Sequence, residues 1–218
     1  MEKEITSIRV QKRNPQRVNI YLDGDFAFGL SRFAAAWLQT GRKLTEAEIE
    51  KLLAEDGLEV AYQKALYYLS FRPRSEQEVF QNLLDKGFSE SVAQTTILKL
   101  KKEGYVNDQS FAQQWIDNRN TFRPRSQRLL AYELQRKGIP DDTIQKALED
   151  VLISEEELAY QAALTKAQKC RAYDWPTFRT KISNFLARRG FSYSVTGPVV
   201  KRLWDEVRQD LESNNEPL

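Results

Sequence analysis

The stretch Phe71-Arg72-Pro73-Arg74-Ser75 returns letter for letter at Phe122-Arg123-Pro124-Arg125-Ser126, and this recurrence constrains the fold more than any other feature of the chain. In both copies a Gly stands 14 positions after the Pro, at Gly87 and Gly138, and a degenerate third copy, Trp175-Pro176, keeps that distance to Gly190. Apolar residues follow the same frame. Leu83, Leu134 and Leu186 stand four before the Gly, Val79, Leu130 and Ile182 eight before it, and Phe88, Ile139 and Phe191 one after it. Agreement at one period of about 50 residues predicts tandem supersecondary units, each too small to bury its apolar surface alone and stacked on its neighbours.

Each unit reads as three short helices. Ser75-x-x-Glu78 is a capping box, and Val79 with Leu83 forms an i, i+4 pair on one helical face. Lys86-Gly87, Lys137-Gly138 and Arg189-Gly190 place a cation and then a left-handed cap at the helix end. Ser154-x-x-Glu157 opens the third unit. Ahead of the repeats, alternating Val18, Ile20 and Leu22 run into Asp23-Gly24, a hairpin turn, and predict a three-stranded meander over residues 5–30. Lys12, Arg13 and Arg17 are expected at its first turn, as a basic tip or merely a solvated one. A short helix is expected over Arg32–Gln39, and another from Thr45 that ends at Asp56-Gly57.

The predicted architecture is therefore mainly α. Tandem three-helix repeats form an elongated curved array behind a small N-terminal β-meander. The expected divisions are 1–57 for the meander and two short helices, 58–107, 108–153 and 154–212 for the three repeats, and 213–218 for a frayed tail.

Charge is unevenly spread. Tyr160–Arg208 holds ten Lys/Arg against three Asp/Glu, whereas Thr45–Glu59 holds six acids and one Lys. The basic third suits a polyanion or an acidic protein face; a solvated helix surface is the alternative. Arg72, Arg74, Arg123 and Arg125 recur at equivalent turns, where they suit evenly spaced phosphates or carboxylates, or else pair within and between repeats. Trp115, Trp175 and Trp204 are expected in the core rather than stacked on bases. The chain has no His and one Cys, Cys170, so it lacks the usual general base and any internal disulfide. No phosphate-cradling Gly loop is present, and Met1-Glu2-Lys3-Glu4 is not followed by a signal-like apolar run. A non-enzymatic, cofactor-free and metal-free protein is expected.

Three further stretches complete the pattern: Ala65-Leu66-x-x-Leu69-Ser70, Gly104-Tyr105-Val106-Asn107-Asp108 with Phe111-Ala112, and Glu133-Leu134-x-x-Lys137-Gly138-Ile139. With the two Arg-Pro-Arg-Ser copies and Arg119, they resemble the RecX family, regulators of the RecA recombinase. The resemblance is strong over residues 59–153 and weaker over the third repeat. A monomer is expected, though the sequence does not fix the oligomeric state, and the resemblance implies a cytoplasmic protein that lodges in the groove of the RecA–DNA filament. There it would restrain filament extension, ATP hydrolysis, strand exchange and co-protease activity in DNA repair and the SOS response. The implied partners are RecA and single-stranded DNA, with duplex DNA as an open alternative and no membrane. A RecA-independent nucleic-acid-binding repeat protein and a passive helical scaffold are the rival readings. The candidate contact residues are Arg72, Arg74, Lys86, Arg119, Arg123, Arg125, Arg128, Lys137, Arg179, Arg188, Arg189, Lys201 and Arg202.

Overall fold

The structure is a computed structural model and describes residues 1–213, so the tail expected at 213–218 lies outside the described residues except for Ser213. Two compact units emerge. The first comprises Met1–Arg74 and Glu78–Val106; the second comprises Ser75–Gln77 and Asn107 onward.

The first unit opens with strands β1 (Lys3–Gln11), β2 (Asn14–Leu22) and β3 (Asp25–Ser31). A fourth, two-residue strand, β4 (Lys43–Leu44), joins β1 to give an antiparallel sheet of order β3-β2-β1-β4. The predicted meander is thus extended by one edge strand, too short to show any alternation in sequence. At the β2–β3 turn Asp23 and Gly24 both have positive φ (51° and 97°), as a two-residue hairpin that matches strand twist requires. Ile5, Val18, Ile20, Leu22 and Leu30 face inward.

Residues 32–37 form successive turns, not the expected helix. Ala35 and Leu38 point into the core, while Phe33 and Trp37 are exposed.

Helix α1 (Glu46–Leu69) starts at the predicted capping box of Thr45 and Glu48, then runs straight through Asp56-Gly57. The expected stop fails for a specific reason. Asp56 is buried, accepting the Ser31 backbone N–H at 2.6 Å and the Arg17 guanidinium at 2.9 Å. Its carboxylate is spent on the sheet instead of terminating the helix, and one interior Gly costs only about 1 kcal/mol. Arg17 is correspondingly drawn away from the basic tip, leaving Lys12 and Arg13 exposed there. The two halves of α1 do different work. Ile49 and Leu52 pack on the sheet, whereas Ala61, Tyr62 and Ala65 enter a three-helix core with α2 (Glu76–Asp85) and α3 (Glu90–Lys102).

Tyr62 donates its hydroxyl to Glu103, just past α3. That hydrogen bond, with burial second, pushes the phenol up to about 12. Since the folded value exceeds the ordinary one near 10, the contribution is complete below pH ~10 and is lost as pH rises toward 12. An absorbance titration at 295 nm should show a late-ionising component that Tyr62→Phe removes. A curve unchanged by Tyr62→Phe would contradict this assignment.

The second unit holds two three-helix cores. One is built from α4 (Asp108–Phe122), α5 (Gln127–Gln135) and α6 (Asp141–Glu149); the other from α7 (Glu155–Lys169), α8 (Trp175–Arg188) and α9 (Tyr193–Ser213). The repeat-frame residues Leu130, Leu134, Ile182 and Leu186 are fully buried, as are Val79 and Leu83 in the first unit. Each such side chain contributes about 1.5–3 kcal/mol. Trp175 and Trp204 stack edge-on against each other at 5.4 Å on the third core, and Trp115 packs beside Phe111 on the second, in line with expectation. Glu157 does not complete the Ser154 box: Ser154 caps α7, but the Glu157 side chain turns to Arg202 and Gln161.

A candidate basic cleft between the second and third repeats

Around Ser126 and around Ser75 the second unit holds two related sets of contacts. Ser126 caps α5, its N–H donates to the Arg189 carbonyl at 3.0 Å, and the next N–H, of Gln127, donates to Glu155 at 2.7 Å. In turn the Arg189 guanidinium donates to the Pro124 carbonyl at 3.0 Å. The segment Ser75–Gln77 behaves alike. Ser75 Oγ donates to the Lys137 carbonyl at 2.6 Å, and the Glu76 N–H donates to Asp108 at 2.9 Å. In each case a helix N-terminus meets the Lys/Arg-Gly cap of another helix and an acid in the first turn of a third.

The degenerate copy is built differently. Pro176 lies inside the first turn of α8, which Asp174 caps, whereas Pro73 and Pro124 precede their helices. The full signature stands at the two helix N-termini that make these contacts, and α8 is capped by Asp174 instead.

The candidate Arg and Lys residues separate into held and free groups. In the first unit Arg72 pairs with Glu78 at 2.8 Å, and Arg74 lies over the Tyr68 ring at 4.0 Å; Lys86 is exposed. In the second unit Arg119 and Arg125 share Glu133, which also accepts the Trp115 indole N–H at 2.9 Å. Arg119 and Lys137 lie over the Trp115 ring at 4.3 and 5.2 Å. Arg179 meets the Tyr193 hydroxyl, Lys201 pairs with Asp205, and Arg202 pairs with Glu206 and Glu157 over the Tyr160 ring. The hydrogen bond that Arg202 donates to Glu206 raises its guanidinium above its ordinary value. Arg128 and Arg188 are exposed without ion pairs among the described residues, and lie apart on other helices.

Arg119, Arg123, Arg125 and Arg189 come together. Burial, followed by the neighbouring Arg119 and Arg123, lowers Arg125; burial, followed by Arg125 and Arg123, lowers Arg189. Arg119 and Arg125 share one carboxylate, Glu133, and the four guanidiniums together leave surplus positive charge. Arg123 is exposed and makes no ion pair among the described residues.

Beside this cluster lies a cleft of about 380 Å³ whose lining includes Phe122, Lys166, Lys169, Phe185 and Arg189, together with polar side chains and, among the described residues, no carboxylate. Lys166, Lys169 and Phe122 escaped the sequence reading. The lysines sat unseen inside the basic third, at an i, i+3 spacing that puts them on one face of α7. Phe122 had a usable signal: it and Phe71 repeat within the signature, yet both are largely exposed, at 74% and 65%, so core packing does not account for them. Among the described residues no group of His, Cys, Asp and Glu is arranged to hold a metal ion, and no helix is long and apolar enough to cross a membrane.

Comparison with known proteins gives four family matches in order along the chain. Residues 3–45 match the regulatory protein RecX N-terminal domain. Residues 61–105, 107–148 and 154–199 match the first, second and third three-helix domains of RecX. Similar curated proteins include the regulatory protein RecX of Bacillus pumilus (strain SAFR-032), 33% identical over 213 residues that span 95% of this chain and 80% of that one. That of Geobacillus thermodenitrificans (strain NG80-2) is 32% identical over 206 residues, spanning 90% and 76%. A crystal structure of regulatory protein RecX superimposes with TM-score 0.69 at 26% identity, covering 90% of this chain and 98% of the other.

Proposed function

The chain belongs to the RecX family of regulatory proteins, and from that premise we propose that it regulates RecA. In this reading it binds the RecA filament on DNA in the cytoplasm as a monomer. It restrains filament extension, and with it ATP hydrolysis, strand exchange and co-protease activity. The observation that carries the reading is the ordered match of all four family domains along one chain. The surplus cations of the second unit support it by offering an acidic partner a surface: among the described residues, Arg123, Lys166, Lys169 and Arg189 outnumber the acids around them. No catalytic step is assigned to the protein.

ATP hydrolysis by the cognate RecA on single-stranded DNA tests this, with the protein titrated in below the RecA concentration and DNA in excess. Hydrolysis should fall markedly at substoichiometric ratios. A fall only at amounts that coat the DNA would instead support RecA-independent nucleic-acid binding, which the same surplus charge also suits and which should weaken steeply with salt. No change at any ratio would sink the proposal.

A further inference from the structure

The basic cleft does not end at Thr121 and Gln161. Both residues also line a second depression of about 550 Å³, so the two form one groove along α4 and α7. Its halves differ in chemistry. The first carries Lys166, Lys169 and Arg189. The second carries Asp117, Asp150, Val151, Leu152 and Ile153, and no cation. Leu152 is 97% exposed, and Ile153 is 42% exposed. Asn120, in the same half, has an enclosed side-chain oxygen that accepts no hydrogen bond.

We propose that this groove holds a polypeptide segment of the partner, with acidic side chains in the Lys166–Lys169–Arg189 half and an apolar side chain on Leu152 and Ile153. The identity of the donor as RecA rests on the function proposed above; the chemistry of the segment does not. Charge decides against nucleic acid as the occupant. A strand repeats its phosphates along its whole length and needs cations throughout, whereas half of this groove presents two carboxylates and exposed aliphatic carbon. A polypeptide can change from acidic to apolar within a few residues. It also brings backbone N–H donors, the partner that the Asn120 side-chain oxygen lacks. Burying Leu152 and Ile153 supplies the apolar contribution that such grooves use, and the lysines fix the direction of the chain.

The test places photoreactive p-benzoylphenylalanine at Leu152 in the full chain, where the exposed position leaves folding undisturbed. The protein is illuminated with RecA on single-stranded DNA, while ATP hydrolysis is read in the same sample. The expected product is a crosslink to one RecA segment containing Asp or Glu within a few residues of the attachment point. Its yield should fall at least tenfold with Lys166→Glu and Lys169→Glu, checked by circular dichroism; if the pair unfolds, Lys169→Ser alone provides this arm. Restrained ATP hydrolysis without a crosslink, or a crosslink indifferent to the lysines, overturns the groove assignment and leaves the proposed function standing. A crosslink to the DNA overturns it in favour of nucleic acid. Loss of both signals overturns the function and the groove together.

Discussion

Replacing Gly190 with alanine is expected to destabilise the second unit about twice as much as replacing Gly87 destabilises the first. Both glycines follow a cation at a helix end and share a left-handed backbone, with φ of 88° and 86°. An L side chain in that conformation costs about 1–2 kcal/mol at either position. At Gly87 the added Cβ meets open space, and the cost ends there. At Gly190 it would overlap Ser126 Oγ and approach Leu129 Cβ to 2.8 Å. Those atoms belong to the α5 N-terminus, pinned by the Ser126 and Gln127 hydrogen bonds, so they cannot retreat without breaking the contact between repeats. Overpacking of this kind adds roughly 1–3 kcal/mol. Urea unfolding followed by circular dichroism should therefore show the larger midpoint shift for Gly190→Ala. Equal shifts would mean that the docking of α5 on the third repeat yields easily, and that the signature is not what holds it.

That comparison also explains which parts of the fold were legible in sequence. The 14-residue distance from Pro to Gly was visible because two constraints fix it. The Pro-Arg-Ser end leads into a helix N-terminus, and the Gly end supplies the left-handed residue that closes that helix. Buried Val79, Leu83, Leu130, Leu134, Ile182 and Leu186 follow from the helical period between those ends. The third copy departs at Trp175-Pro176-Thr177, where Asp174 caps α8, and survives at Gly190, which faces Ser126 and Leu129 of the α5 N-terminus. What escaped the sequence depends on partners far away along the chain. Asp56-Gly57 carries a local stop signal, but Arg17 and Ser31, 39 and 25 residues distant, take up the Asp56 carboxylate. Strand β4 exists only because β1 offers it an edge. The cleft needed Phe122, Lys166 and Arg189 to be brought together from three helices, and no spacing within a single helix announces that.

The two arginines of the second signature, identical in residue type to those of the first, should give opposite results on charge reversal. Arg125→Glu is expected to destabilise the second unit severely, by about 3–5 kcal/mol, because it removes one partner of a largely enclosed carboxylate and sets a like charge against it. Glu133 is only 14% exposed and also holds Arg119 and the Trp115 indole, so the strain would spread into the packing around α4 and α5. Arg123→Glu meets no such carboxylate. Its side chain is exposed, unpaired among the described residues and set among other cations, so reversal relieves repulsion and should leave stability within about 0.5 kcal/mol. On the proposed function it should nonetheless weaken the restraint of RecA-catalysed ATP hydrolysis by about tenfold, the loss of one charge-assisted contact worth about 1.5 kcal/mol. Thermal unfolding and the hydrolysis titration, run on both single variants, separate the roles. A stable Arg125→Glu would show that the Glu133 cluster is not structural. A fully active Arg123→Glu would remove the second signature from the contact surface and leave it, like Ser126, to the docking of one repeat on the next.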